Sequence, residues 1–241
     1  SSNKFDELKS WKLSFSDDFE NKTLDKDKWI TNYFWGKALL KEGYSLSTDY
    51  HCNTEGQNIE IKDSVCRIIT RKEKAEGKSW NPRVGFYPRE FDYTSGLIST
   101  GESFRQKYGK FQAKVRLNSL EDVVNAFWMV SDKMLPEIDV FKTGFKNKIS
   151  FISQLGKDSN TSISRLTGNK FKNGFYIFTL EWSKDKITWK LNDIILKEVT
   201  SGIPNDPMYV LFSSGLSTSP NDALLPSVFE INWIKCYEKV N

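Results

Sequence analysis

An all-β domain, a β-sandwich or jelly roll of antiparallel strands, is what the 241-residue sequence predicts, on three observations. Helical periodicity is almost absent. Short runs rich in β-branched and aromatic residues recur along the chain. Clusters of Gly, Asn, Asp, Ser and Pro separate them, the punctuation of many short strands. The length suits one large domain over residues 1–241 with a substantial core, and no internal repeat, linker or low-complexity segment divides it.

The strands follow in order. Val65–Thr70 is the first clear run. In Gly109–Leu117, Phe111, Ala113, Val115 and Leu117 alternate with Lys110, Gln112, Lys114 and Arg116, which gives one buried and one wet face. Asn125–Val130 and Glu137–Phe141 form a pair of apolar runs around a turn. Phe175–Trp182 is next, then the turn Ser183–Lys186, Ile187–Leu191, the compact Asn192-Asp193 turn and Ile194–Leu196. Met208–Ser213 and Val228–Tyr237 close the pattern. Two stretches, Tyr33–Asn53 and Glu73–Glu90, lack periodicity and carry Tyr33, Trp35, Tyr44, Tyr50, Trp80, Phe86 and Tyr87; they are expected to be long aromatic loops with a functional role.

Eight Trp, nine Tyr and 17 Phe make 14% of the chain. Strands favour such residues, so a Phe-rich core accounts for many of them. A cleft lined by flat rings would account for the rest and suits sugars, whose C–H faces stack on aromatic faces. Net charge is +4 with acids and bases interspersed, and neither a block of like charge nor a basic helix marks a nucleic-acid partner. Cys52, Cys66 and Cys236 have no zinc-ligand spacing; one disulfide with a free thiol and three buried thiols both fit. No apolar run reaches membrane-spanning length. The start Ser1-Ser2-Asn3-Lys4 resembles a trimmed end, so a secreted or cell-surface location, with a lipid anchor lost on trimming as one form of it, is expected, as is a monomer.

The candidate chemistry lies in Pro136-Glu137-Ile138-Asp139-Val140-Phe141-Lys142. On a strand Glu137 and Asp139 point to one face. Two adjacent carboxyls are costly unless they share a proton, hydrogen-bond or serve a cleft. Ile138, Val140 and Phe141 make the strand apolar and central rather than a solvated edge.

This segment resembles the E-x-D-x-x-E signature of glycoside hydrolase family sixteen, the laminarinase, lichenase, agarase and carrageenase group, and the resemblance covers nearly the whole chain. Phe15-Ser16-Asp17-Asp18-Phe19 with Leu24–Trp29 is similar to the family's opening strand. Tyr93–Thr100 with Lys107–Phe111 is similar to its central block, Phe175–Trp182 to its F-H-T-Y-x-x-E-W run, and Ile231–Tyr237 to its closing strand. The resemblance implies a concanavalin-like jelly roll of two antiparallel sheets with a concave sugar-binding cleft. It also implies a retaining mechanism, in which two carboxyls roughly 5–5.5 Å apart act as nucleophile and acid/base.

By position, Glu137 would be the nucleophile and Asp139 the residue that tunes it. A bulge after Asp139 would bring the acid/base position back to the cleft face, and Lys142 stands there. Lysine, with a reference pKa of about 10.4, holds its proton too tightly to serve as general acid near neutral pH. Lys142 is expected within salt-bridge reach of Glu137 or Asp139. Trp128, Tyr33, Trp35, Trp80, Tyr87 and Asn53 are the candidate sugar-binding residues. The family usually has Arg at Leu97, Trp-Pro at Val124-Asn125 and His at Tyr176. Its structural calcium would meet Asn232 in place of an Asp, so calcium is conceivable and no other cofactor or metal is expected. The lone His51 reads as a cleft-rim hydrogen-bonder. The expected partner is a β-linked polysaccharide or oligosaccharide, glucan or galactan, with hydrolysis lost or impaired. The alternative is an active retaining endo-β-glycosidase that recruits a substitute acid such as Glu55, Glu90 or Asp92.

Overall fold

The computed structural model describes residues 10–35, 43–117, 121–157, 159–167 and 174–240. They form two sheets. The larger contains β1 (Trp11–Asp17), β2 (Ser45–Leu46), β3 (Cys52–Asn53), β4 (Ile59–Lys62), β5 (Val65–Asn81), β6 (Gly85–Ser95), β8 (Gly109–Leu117), β13 (Tyr176–Trp182), β14 (Ile187–Leu191), β15 (Ile194–Val199) and β17 (Ser227–Lys239). The smaller contains β7 (Leu97–Ser99), β9 (Val123–Val130), β10 (Glu137–Phe145), β11 (Lys148–Gly156), β12 (Ser159–Thr167) and β16 (Tyr209–Leu216), in the order β12-β11-β10-β9-β16-β7. The β-sandwich jelly roll of two sheets is thus present. Its pairings are antiparallel except for the short parallel contacts of β2 with β5 and β3 with β6. The one helical element among the described residues is a 3₁₀ turn at Asp222–Leu224, and no helix there is long and apolar enough to cross a membrane.

The alternation read in Gly109–Leu117 is realised in β8, whose odd-numbered residues are all buried. Phe141 of the smaller sheet reaches Phe178 and Phe229 of the larger, with ring centroids 4.5 and 5.8 Å apart. Phe212 of β16 lies 6.2 Å from Phe229. The inner faces of both sheets therefore interdigitate in one core, as aligned sandwiches require. Asn192 and Asp193 both have positive φ (47° and 68°), the conformation that lets a tight turn follow the twist of its two strands.

One expectation is corrected and one open alternative is decided. Glu73–Glu90 is a long hairpin rather than a loop: β5 runs to Asn81 and pairs with β6 from Arg71–Thr94 to Asn81–Gly85. From Lys72 to Lys74 both faces are exposed, so nothing selects the apolar alternation by which a strand is recognised. Cys52, Cys66 and Cys236 are all free and buried, which decides for three thiols; burial pushes those of Cys66 and Cys236 far up, into inert forms.

Candidate active site

The site is organised by one extra residue. Asp139 lies opposite Trp128 of β9 and Phe141 opposite Phe127, so Val140 is bulged out of register. On the other side Asp139 faces Ile152 and Lys142 faces Ser150, the same one-residue slip. Val140 and Phe141 both turn into the core, where each is at most 1% exposed. Alternation then resumes one residue late, and Lys142 returns to the face that carries Glu137 and Asp139. All three line one cavity of about 460 Å³ over the outer face of the smaller sheet.

The bulge is held from below. Trp189 of β14, fully buried, donates through Nε1 to the main-chain oxygen of Asp139 at 2.9 Å. Periodicity cannot reveal this contact, because Trp189 sits fifty residues away in the opposite sheet.

Electrostatically the two acids form a pair. Burial raises the Asp139 carboxyl well above the usual range, the charge of Glu137 raises it further, and Lys142 opposes the rise. Burial also raises Glu137, against the pull of Lys142 and of a hydrogen bond to Asp139. Asp139 Oδ2 is otherwise buried without a partner. Burial and the neighbouring charge both favour the protonated forms, since two adjacent buried charges are costly.

Lys142 does not close the expected salt bridge: it is exposed and, among the described residues, pairs with neither acid at contact distance. It acts on them through space. Holding a solvated lysine in one rotamer costs side-chain entropy that an exposed ion pair barely offsets.

Of the candidate sugar-binding residues, Trp128, Tyr33 and Asn53 line the cavity. Trp128 Nε1 donates to Ser213 Oγ at 3.0 Å, which fixes the plane of its ring. Tyr33 donates to Asp49 at 3.2 Å. Asn53 is 4% exposed, and its Oδ1 is buried without a hydrogen-bond partner behind the cavity wall.

Trp35, Trp80 and Tyr87 are not on that wall. Trp35 stacks on Tyr33 (4.7 Å) and backs Trp128 (6.3 Å). Trp80 joins the same aromatic cluster, and Tyr87 sits on the hairpin opposite Ser79. Tyr176 belongs to β13 in the larger sheet and has no place in the cleft. Leu97 and Val124, by contrast, do line it.

His51 is buried at the cavity, and its Nδ1 lies 2.9 Å from Leu216 N and 3.3 Å from Leu216 O. Gly215 lies flat beneath the ring, where a Cβ would stand 2.1 Å from His51 Cε1.

The substitute acids fare differently. Glu55 lines a separate cavity, and Glu90 and Asp92 are exposed on β6. Among the described residues, the further carboxylate at the cavity of Glu137 is Asp49, which is held by the Leu46 N–H (2.8 Å) and by Tyr33. Sequence reading missed Asp49, Ser213, Arg165 and Trp189, none of which stands in a motif.

Asn232 donates through Nδ2 to Ser64 O at 3.3 Å. Among the described residues no three His, Cys, Asp or Glu side chains gather as a metal site. Asn232 itself could offer a calcium ion only a neutral amide oxygen.

Relatives share this architecture. The chain is 30% identical to endo-1,3-1,4-beta-glycanase ExsH of Rhizobium meliloti over 93% of its own length and 51% of that protein's. It is 22% identical to glucan endo-1,3-beta-glucosidase A1 of Niallia circulans over 94% and 38% respectively. The chain thus spans about half or less of these relatives. Among solved structures it superposes on the laminarinase of Rhodothermus marinus with a TM-score of 0.78 at 18% identity, covering 96% of this chain and 98% of that one. With the laminarinase catalytic domain of Thermotoga maritima the TM-score is 0.76 at 20% identity, covering 96% and 100%. Residues 46–235 match the profile described as Glycosyl hydrolases family 16, and the chain belongs to that family.

Proposed function

We propose that this chain binds a β-linked polysaccharide, a glucan or a galactan, across the cleft of the smaller sheet, and that its hydrolysis of natural polymers is lost or severely impaired. One observation carries the reading. The bulge at Val140 delivers Lys142, rather than a second carboxyl, to the face shared by Glu137 and Asp139. General acid–base help is worth roughly 10²–10⁴-fold, and an alkoxide leaving group from a sugar needs it. The fixed Trp128 ring at the cavity fits the holding of a sugar. The glucanase names of the relatives agree with the substrate class. Because such polymers lie outside cells, the reading carries with it a secreted or cell-surface location.

Asp49 supports a second reading. It lies on the same cavity as Glu137, and in an active retaining endo-β-glycosidase with Glu137 as nucleophile it is the carboxyl available as substitute acid. One set of assays separates the two: binding and turnover of laminarin, mixed-linkage glucan, agarose and carrageenan, beside an aryl β-glycoside whose leaving group needs little protonation. Binding of a polymer without its turnover, with slow attack on the aryl glycoside that Glu137→Gln abolishes, is the expected outcome. Turnover of natural polymer at ordinary rates would sink the first reading, and its loss in Asp49→Asn would establish the second.

A further inference from the structure

One end of the cleft has a charge that a neutral glucan would leave unused. From Val140 to Thr167 the chain holds Lys142, Lys146, Lys148, Lys157 and Arg165 against a single acid, Asp158, which lies outside the described residues. This segment builds most of β10 and all of β11 and β12, one end of the smaller sheet. Lys142 pairs with Ser150 and Ser150 with Arg165, so the three side chains form one row across three strands. All three line the cavity.

Arg165 is held in place there. Its guanidinium stacks over the Phe145 ring at 4.5 Å, and Phe145 lines the same cavity. A stacked guanidinium keeps its planar fork of N–H donors free for a carboxylate or sulfate. Among the described residues neither Lys142 nor Arg165 has a carboxylate at contact distance. Glu137 and Asp139 act on Lys142 from its own strand; β11 and β12 bring no acid to Arg165. The other side of the cavity offers Trp128, Tyr33 and Asn53, which suit an uncharged ring.

We propose that the cleft takes a β-linked glycan bearing an anionic substituent, a sulfate ester or a uronic carboxylate, seated over the row Lys142–Ser150–Arg165 while a neutral ring of the chain meets Trp128. The proposal rests on the polysaccharide-binding reading and narrows its substrate class.

Equilibrium binding of the intact chain tests it with four probes: laminarin, the same laminarin chemically sulfated, a β-linked polyuronate, and dextran sulfate as an α-linked anionic control. At low salt the sulfated laminarin or the polyuronate should bind about tenfold tighter than laminarin, as one charge-assisted pair allows, and the advantage should shrink with added salt. The stronger of the two identifies the anion. Arg165→Gln should remove most of that advantage, bringing anionic and neutral β-glycans close together, while Lys184→Gln, on a distant exposed turn, should leave the advantage intact. Equal affinity for neutral and anionic β-glycans would overturn the proposal, as would equal losses in the two variants or dextran sulfate binding as tightly as the β-linked anions. If laminarin binds without an anionic advantage, only this proposal fails; if no glycan binds, the polysaccharide reading fails with it.

Discussion

The indole of Trp189 and the main-chain oxygen of Asp139 are joined by a 2.9 Å hydrogen bond that crosses from one sheet to the other. Asp139 is the last residue before the bulge, so its carbonyl lies where the ladder breaks and needs a donor from outside it. The contact ties the position of Glu137, Asp139 and Lys142 to the packing of the core.

Trp189→Phe removes that donor with little loss of apolar volume. It should lower stability by about 1–3 kcal/mol, the cost of leaving a buried acceptor unpaired, and weaken glycan binding because the bulge loosens. Urea denaturation and glycan titration check the two effects; a variant with wild-type stability would show that the bulge holds itself.

The raised carboxyls of Glu137 and Asp139 predict a pH dependence of stability. Both carboxyls are raised in the folded protein. The native state therefore binds more protons than the unfolded chain, and stability falls as pH rises from about 4, the ordinary carboxylate value, through the raised folded values. Asp139→Asn should flatten this slope and raise the melting temperature at neutral pH relative to wild type. Melting curves across pH 4–8 measure it, and an unchanged slope would contradict the pairing.

Lys142→Glu places a carboxyl at the position the bulge exposes. If the acid/base is all that the site lacks, hydrolysis of laminarin or mixed-linkage glucan should rise by roughly 10²–10⁴-fold, with a much smaller gain on an aryl glycoside. No gain on either, with binding intact, would mean that the losses at Leu97 and Val124 also matter to the chemistry.

Gly215→Ala drives a methyl group into the His51 ring, since the nearest atom would be 2.1 Å away. The ring must move and give up the bond from Leu216 N–H. Overpacking of this kind costs about 1–3 kcal/mol, and glycan affinity should fall with it. Thermal melts and binding titrations of the variant report both, and unaltered affinity would remove His51 from the cleft's working surface.

Much of the fold was legible because its cause is local. The alternation of Phe111, Ala113, Val115 and Leu117 follows from the period of a pleated strand with one wet face. The Asn192-Asp193 turn follows from residues that tolerate positive φ. The placement of Lys142 beside Glu137 and Asp139 was readable through a motif that includes its bulge. The hairpin at Glu73–Glu90 was not, since its start at Lys72–Lys74 is exposed on both faces and offers no alternation to read.

For the site, the identities of Glu137, Asp139 and Lys142 and their spacing along one strand were determined by the sequence itself, because the order of side chains on a strand is a one-dimensional property. Only the tertiary structure decided what stands beside them: Trp189 beneath Asp139, Arg165 two strands from Lys142, Asp49 rather than Glu55, Glu90 or Asp92 at the cavity, and three thiols rather than a disulfide. Those neighbours come from strand register and sheet packing, which join residues far apart in the chain and are set by the whole core at once.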